Sequence, residues 1–243
     1  MDDKIMRLQK ILDKSQYTVA LCGSGMMEES GFAGMKDQDL AYHIEQKYGY
    51  CTEELYSSAF YNARSELFFT FYRKELLAHC LELTASGPAL AALEKNGHLH
   101  CVITSNIYDI PRRGGCQNVI NLHGTIYENQ CPRCKKQYTL EYIQNSPRKV
   151  PLCEKCNIPV RPLISLFGEM VDSQRMTKTT LEISKADALL LLGTSMDSDV
   201  FSHYIKYFSG HWLVIIHKKR HYRDGAASMT ILDYPRNVLP LLH

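Results

Sequence analysis

Two C-x-x-C pairs, Cys131-Pro132-Arg133-Cys134 and Cys153-Glu154-Lys155-Cys156, lie 18 residues apart. Two residues between thiolates let one turn present both sulfurs to a single ion. Two such turns complete the tetrahedral sulfur set that zinc prefers. One pair alone would leave incidental or redox cysteines open, whereas two at this spacing point to zinc. Four protein ligands leave no site for water, so the ion is structural and its binding free energy goes into folding a segment with few aliphatics. Lys135, Lys136, Arg148 and Lys149 make the segment basic. With no aromatics interleaved for base stacking, that charge reads as a solvated face.

The second chemical feature is Gly23-Ser24-Gly25, directly after the apolar run Tyr17–Cys22. A strand, glycines and a polar helical start form the layout of a nucleotide-binding α/β fold. The third glycine of a dinucleotide fingerprint is missing, because Glu28 stands in its place. Two readings stay open: a tight strand-to-helix turn, or backbone N–H groups that cradle a pyrophosphate where glycine permits close approach.

Positioning these groups falls to a chain of 243 residues with 28 Lys+Arg, 26 Asp+Glu and 45% hydrophobic residues. That length gives one large or two small domains and a core deep enough to need no disulfides. The near-neutral balance argues against a nucleic-acid-coating protein, and no apolar run approaches the roughly 20 residues that span a bilayer. Nine cysteines, an odd count, fit metal ligation and buried thiols in a reducing compartment better than a disulfide framework. Met1-Asp2-Asp3-Lys4 does not read as a signal peptide. The expectation is a cytoplasmic protein.

Ile5, Leu8, Ile11 and Leu12 recur at helical spacing. Buried strands are expected at 17–22, 99–104, 118–122, 188–192 and 212–216, with helical stretches at 37–80, 89–94 and 173–185 and a short one from Asp233. Strands alternating with helices imply an α/β fold: a Rossmann-like, mostly parallel sheet with helices on both faces. The domain reading is one catalytic domain over 1–243. Residues 1–36, 76–124 and 161–243 form its Rossmann-like body, 37–75 a helical insert and 125–160 a zinc ribbon. Phe60, Tyr61, Phe68, Phe69, Phe71 and Tyr72 form either a helical core or one wall of a wide pocket. Cys22 and Cys101 read as core fillers. His217-Lys218-Lys219-Arg220-His221 is a basic run that could be a solvated loop or meet phosphates of a 2′-modified adenosine.

Six segments in order resemble the sirtuin family. Gly23 to Gly31 is similar to G-A-G-x-S-x-x-S-G, Thr104-Ser105-Asn106-Ile107 to T-Q-N-I, and Leu122-His123-Gly124 to L-H-G. The two cysteine pairs follow. Arg161 to Glu169 resembles R-P-x-V-V-x-F-G-E, and Gly193-Thr194-Ser195 matches G-T-S. The resemblance covers nearly the whole chain and implies an NAD-dependent protein lysine deacylase with a structural zinc. Gly23, Ser24 and Gly25 would hold the diphosphate, with Gly193, Thr194 and Ser195 on the adenosine side. Asn106 would position the nicotinamide ribose and a water, and His123 would act as general base on the ribose hydroxyls. A neutral imidazole suits that task. Leu166, Phe167, Gly168 and Glu169 would line the tunnel where an acyl-lysine peptide adds as a strand. The family's Phe and Arg after S-G become Met35 and Lys36, its Gln becomes Ser105, and its Asp becomes Tyr108 with Asp109 one place later. The Asn after the late strand becomes His217. ADP-ribosyl transfer to protein, and a non-catalytic NAD- or ADP-ribose-binding module, are the rival readings. No nucleic acid or membrane partner is expected.

Overall fold

The computed structural model describes residues 2–32, 34, 37–78 and 82–243. Met35, Lys36 and Cys80 lie outside the described residues. Nine strands occur among those described: β1 (Thr18–Cys22), β2 (Cys101–Thr104), β3 (Val119–Asn121), β4 (Gly124–Gln130), β5 (Gln137–Tyr138), β6 (Arg161–Ile164), β7 (Ala188–Leu192), β8 (Trp212–Ile216) and β9 (Met229–Ile231). The chain divides into two compact units. One comprises Met1–Gly31, Glu82–Leu122 and Asp172–His243, and the other Phe32–Leu81 and His123–Val171.

In the first unit, six strands pair in the order β3-β2-β1-β7-β8-β9, every neighbour parallel. All five residues of β1 and all five of β7 are buried. Such unbroken apolar runs are what a parallel sheet covered on both faces selects. Alternate residues Val19, Leu21, Leu189, Leu191, Cys101, Ile103, Leu213 and Ile215 join Ile183 and Phe201 in one core cluster, as a period of two requires. Asp187 ties the sheet's lower edge together: its carboxylate accepts the Gln16 N–H at 2.8 Å and the Tyr17 N–H at 3.1 Å. Burial works against that charge, but these bonds and one from Ser15 outweigh it and hold the carboxyl below its usual range. From β1 the order runs outward one way through β2 and β3, and the other way through β7, β8 and β9. The carboxyl ends of β1 and β7 are therefore the topological switch point, where open α/β sheets bind ligands.

The second unit pairs β5-β4-β6 antiparallel. Its helical part is not continuous over 37–80 as the sequence predicts. It breaks into Gln38–Tyr48, Thr52–Leu55, Ser58–Ala63 and Ser65–Phe71, then widens into a π-helical turn at Tyr72–Leu77. Gly49, left-handed at φ 74°, closes the first of these helices. The aromatics form a core: Phe68, Phe69, Phe71 and Tyr72 are all fully buried, with Phe68 and Phe69 edge-to-face at 5.3 Å. Arg73 joins the helices to the cysteine-bearing segment, donating from Nε to the Ile143 carbonyl (2.8 Å) and from its other nitrogens to the Arg148 carbonyl. Helices and zinc ribbon thus make one small module.

Candidate functional site

At the switch point the two glycine loops interlock. The Gly23 N–H donates to the Leu192 carbonyl and the Gly25 N–H to the Gly193 carbonyl, both at 2.9 Å. A Cβ on Gly25 would lie 2.6 Å from Gly193 Cα, and one on Gly23 would lie 2.5 Å from Thr194 Cβ. Gly193 is left-handed at φ 58°. The glycines are needed first for main chain to pass main chain. The amides of Gly23 and Gly25 are spent within the sheet, so Ser24, at the start of the helix Gly25–Glu28, is the turn residue whose N–H has no such partner. Replacing Gly25 by alanine must push the loops apart. The expected cost is about 1–3 kcal/mol, at roughly 2–4 °C of melting temperature per kcal/mol in a chain this size, together with weaker nucleotide binding. Thermal melts against Gly225→Ala, whose new methyl meets nothing within 4 Å, measure it.

Asn106 reaches the same turn. Its N–H donates to Thr104 Oγ1 (3.0 Å) and its Nδ2 to the Gly23 carbonyl (3.1 Å). The side chain is 2% exposed and Oδ1 has no protein partner. Ser105 bonds the Cys22 carbonyl through its N–H at 3.1 Å. The structure therefore gathers Gly23, Ser24, Gly25, Ser105, Asn106, Gly193 and Thr194, with Ser195 next in the chain. Tyr108 and Asp109 are both buried. Asp109 holds a left-handed φ of 50°, and its Oδ1 accepts Asn121 Nδ2 at 2.9 Å.

Glu29, which the sequence did not single out, is 2% exposed. Its carboxylate accepts the Thr84 hydroxyl and the Arg236 N–H (2.9 Å), while the Arg236 guanidinium donates to the Glu29 carbonyl. The short helix Pro235–Val238 thus grips the end of the glycine turn. Its only sequence signal is an acid inside an otherwise glycine- and serine-rich motif.

In the second unit, His123 is partly buried and its carbonyl accepts the Ser165 N–H at 2.9 Å. Gly124 follows at φ 74°, and a Cβ there would fall 1.8 Å from the Leu163 carbonyl oxygen. The glycine of L-H-G is thus what lets β4 start hard against β6. The segment Leu166–Glu169 is held at both ends. Phe167 pairs with 56–58, its N–H donating to the Tyr56 carbonyl (2.9 Å) and its carbonyl accepting the Ser58 N–H (3.0 Å). Glu169 takes both polar main-chain groups of Leu166, its carboxylate the N–H (2.9 Å) and its own N–H the carbonyl (3.0 Å). Arg161 braces Glu169 at 2.6 and 2.7 Å and lies over the Tyr61 ring. Gly168, between Phe167 and Glu169, is left-handed at φ 83°.

The four cysteines 131, 134, 153 and 156 bring their sulfurs within 4.8 Å of one another, with Cys134 Sγ and Cys153 Sγ 3.6 Å apart. Tetrahedral zinc at about 2.3 Å from each sulfur needs edges of roughly 3.8 Å, so the donors and spacing fit the ion. The two turns repeat each other. In each, the second cysteine's N–H points at the first's sulfur, at 3.5 Å for Cys134 and 3.4 Å for Cys156. The next residue is left-handed, Lys135 at φ 63° and Asn157 at φ 54°. At Cys153, burial opposes ionisation, but hydrogen bonds from the Tyr138 hydroxyl and from main-chain N–H groups prevail and bring the thiol down to about 6. Elsewhere burial pushes the Cys101 and Cys116 thiols up to about 12 and raises Cys22 well above its ordinary value. These three are packing residues, not nucleophiles. No helix among the described residues is long and apolar enough to cross a membrane.

A family model described as the Sir2 family matches residues 23–199. An NAD-dependent protein deacetylase of Clostridium acetobutylicum is 32% identical over 98% of this chain and 97% of its own length. A solved structure concerned with the structural basis of sirtuin substrate affinity superposes with a TM-score of 0.88 at 28% identity, over 96% of each chain. A Sir2 variant solved with a deacetylated p53 peptide and 3′-O-acetyl-ADP-ribose gives 0.83 at 27% identity, over 98% of this chain and 96% of that one.

Proposed function

The chain belongs to the Sir2 family, and we infer from that membership that it is an NAD-dependent protein lysine deacylase. Its products are nicotinamide, the free lysine and O-acyl-ADP-ribose. One observation on this chain supports the reading above the others: a buried amide, Asn106, anchored by Nδ2 to the Gly23 carbonyl, leaves Oδ1 without a partner at the switch point. Buried acceptors are rarely left so, and a ribose hydroxyl or a water satisfies this one. The residues present therefore fit the dinucleotide.

Bound NAD supplies the anomeric carbon that the acyl oxygen attacks as nicotinamide leaves. In this reading Asn106 orients the nicotinamide ribose, and Ser24 offers its N–H to the diphosphate beside the interlocked glycines. His123 takes the proton of the ribose 2′-hydroxyl that captures the acyl carbon. Asp109 and Ser105 belong to the nicotinamide end, and Thr194, Ser195 and His217 to the adenosine end. Leu166, Phe167, Gly168 and Glu169 receive the acyl-lysine peptide, with Gly168 as the main-chain contact. The thiolate set suits a reducing, cytoplasmic setting.

The test is incubation with NAD and an acetyl-lysine peptide, with nicotinamide followed by chromatography and the peptide by mass spectrometry. Equimolar nicotinamide and deacetylated peptide are expected. No deacetylated peptide above the level of His123→Ala rejects the reading. ADP-ribose left on protein with the acetyl group retained would mark a transferase, and NAD binding without nicotinamide a binding module.

A further inference from the structure

A second polar arrangement sits one strand further along the same sheet edge. His217 directly follows β8 and is 4% exposed. Its main-chain N–H donates to the Ile231 carbonyl, and the preceding Ile216 carbonyl accepts the Gly193 N–H at 2.9 Å. The ring is therefore tied to the loop that packs on the glycine turn. Its Nε2 lies 3.0 Å from Asp224 Oδ2, an oxygen that also accepts the His221 N–H at 2.9 Å. The His221 side chain in turn accepts the Asp224 N–H, and the two imidazoles stack with centroids 4.8 Å apart. Asp224 is 7% exposed and cannot swing away. His217 Nδ1, buried, has no protein partner.

A carboxylate on Nε2 fixes the proton there and leaves Nδ1 as a lone pair. A buried lone pair without a donor is costly, so this one is matched to a ligand group that gives a proton. Neighbouring strands are about 4.8 Å apart, so the end of β8 lies one strand spacing beyond that of β7, on the side to which the functional reading above assigns the adenosine. We propose that Asp224 is a positioning residue: it locks His217 as a fixed acceptor for the 2′-hydroxyl of the adenosine ribose, and so selects NAD over a 2′-phosphorylated dinucleotide. This rests on the functional reading above. The exposed basic run Lys218 to Arg220 would by charge alone favour the extra phosphate. Lys218, however, donates to the Tyr234 hydroxyl at 2.9 Å and covers its ring, and a phosphate monoester, mostly dianionic at neutral pH, meets the Nδ1 lone pair with negative charge in place of a donor.

Calorimetry with ADP-ribose and with 2′-phospho-ADP-ribose tests this without relying on turnover. The wild type is expected to bind ADP-ribose at least about tenfold tighter than the phosphorylated form. Asp224→Ala should lose about tenfold in affinity for ADP-ribose, the worth of one hydrogen bond, and Asp224→Asn, which keeps an acceptor oxygen, should restore most of it. In steady state the Asp224→Ala loss should appear in the KM for NAD with kcat unchanged. His217→Leu should erase the discrimination, with circular dichroism at the assay temperature showing that the variant is folded. The proposal falls if Asp224→Ala binds ADP-ribose as the wild type does, if His217→Leu still discriminates, or if the phosphorylated ligand binds equally well. Failure of the wild type to bind ADP-ribose at all would instead overturn the functional reading.

Discussion

Replacing His123 by alanine is expected to lower the rate of deacylation by about 10²–10⁴-fold, the usual worth of a general base. The turn that carries this residue is held through its main chain. Its carbonyl is held by the Ser165 N–H, and Gly124 beside it is fixed by its approach to the Leu163 carbonyl. The variant should therefore fold and melt as the wild type does, and should bind ADP-ribose with unchanged affinity. The base acts after nicotinamide has left, so exchange of labelled nicotinamide into NAD should suffer less than formation of O-acyl-ADP-ribose. Measuring both rates on one preparation separates a chemical loss from a structural one. Equal deacylation by the variant would remove His123 from the mechanism.

Loss of zinc is the other large effect expected. The purified protein should carry one zinc per chain, and Cys131→Ser, or a strong chelator, should remove it. Structural zinc in small peptides binds with about 10–16 kcal/mol of apparent free energy at neutral pH, more than the roughly 5–15 kcal/mol that holds a typical domain folded. Cys131 and Cys153 are buried, and β4, β5 and β6 form only a three-stranded sheet. Without the ion, four thiols, two of them buried, would crowd a segment that has little else to hold it. Hydrogen exchange should rise sharply across residues 123–171, while the six-stranded sheet keeps its protection. Metal analysis and exchange mass spectrometry check this together, and a metal-free chain with wild-type protection at 123–171 would refute it.

What the sequence disclosed follows from where its signals are local. The run Ala188 to Leu192 matches β7 residue for residue, because a strand buried on both faces must be apolar throughout. The two cysteine turns carry their whole geometry within four residues each. Pairings across the sheet were not legible. β9 is three residues, Met229–Ile231, and is a strand only because β8 lies beside it. β4 hides because Tyr127, Glu128 and Asn129 dilute its apolar pattern. The glycine turn left open a tight turn or N–H groups cradling a pyrophosphate, and only the structure shows the Gly23 and Gly25 amides given to Leu192 and Gly193, residues far along the chain. Asp224 gave no sign of its role, since its partner histidine lies across a loop with no periodicity.

The grip of Arg236 on Glu29 ties the helix Pro235–Val238 to the end of the glycine turn. The carboxyl-terminal His243 is also bonded reciprocally to Gln9, its N–H donating at 3.0 Å and its carbonyl accepting at 2.6 Å. The helix Asp2–Lys14 and the segment after β9 are thus bonded to each other within the unit that carries the glycine turn. A label or surface attachment on Pro235–Val238 would be felt at Glu29, so one placed elsewhere is the better choice for kinetic work.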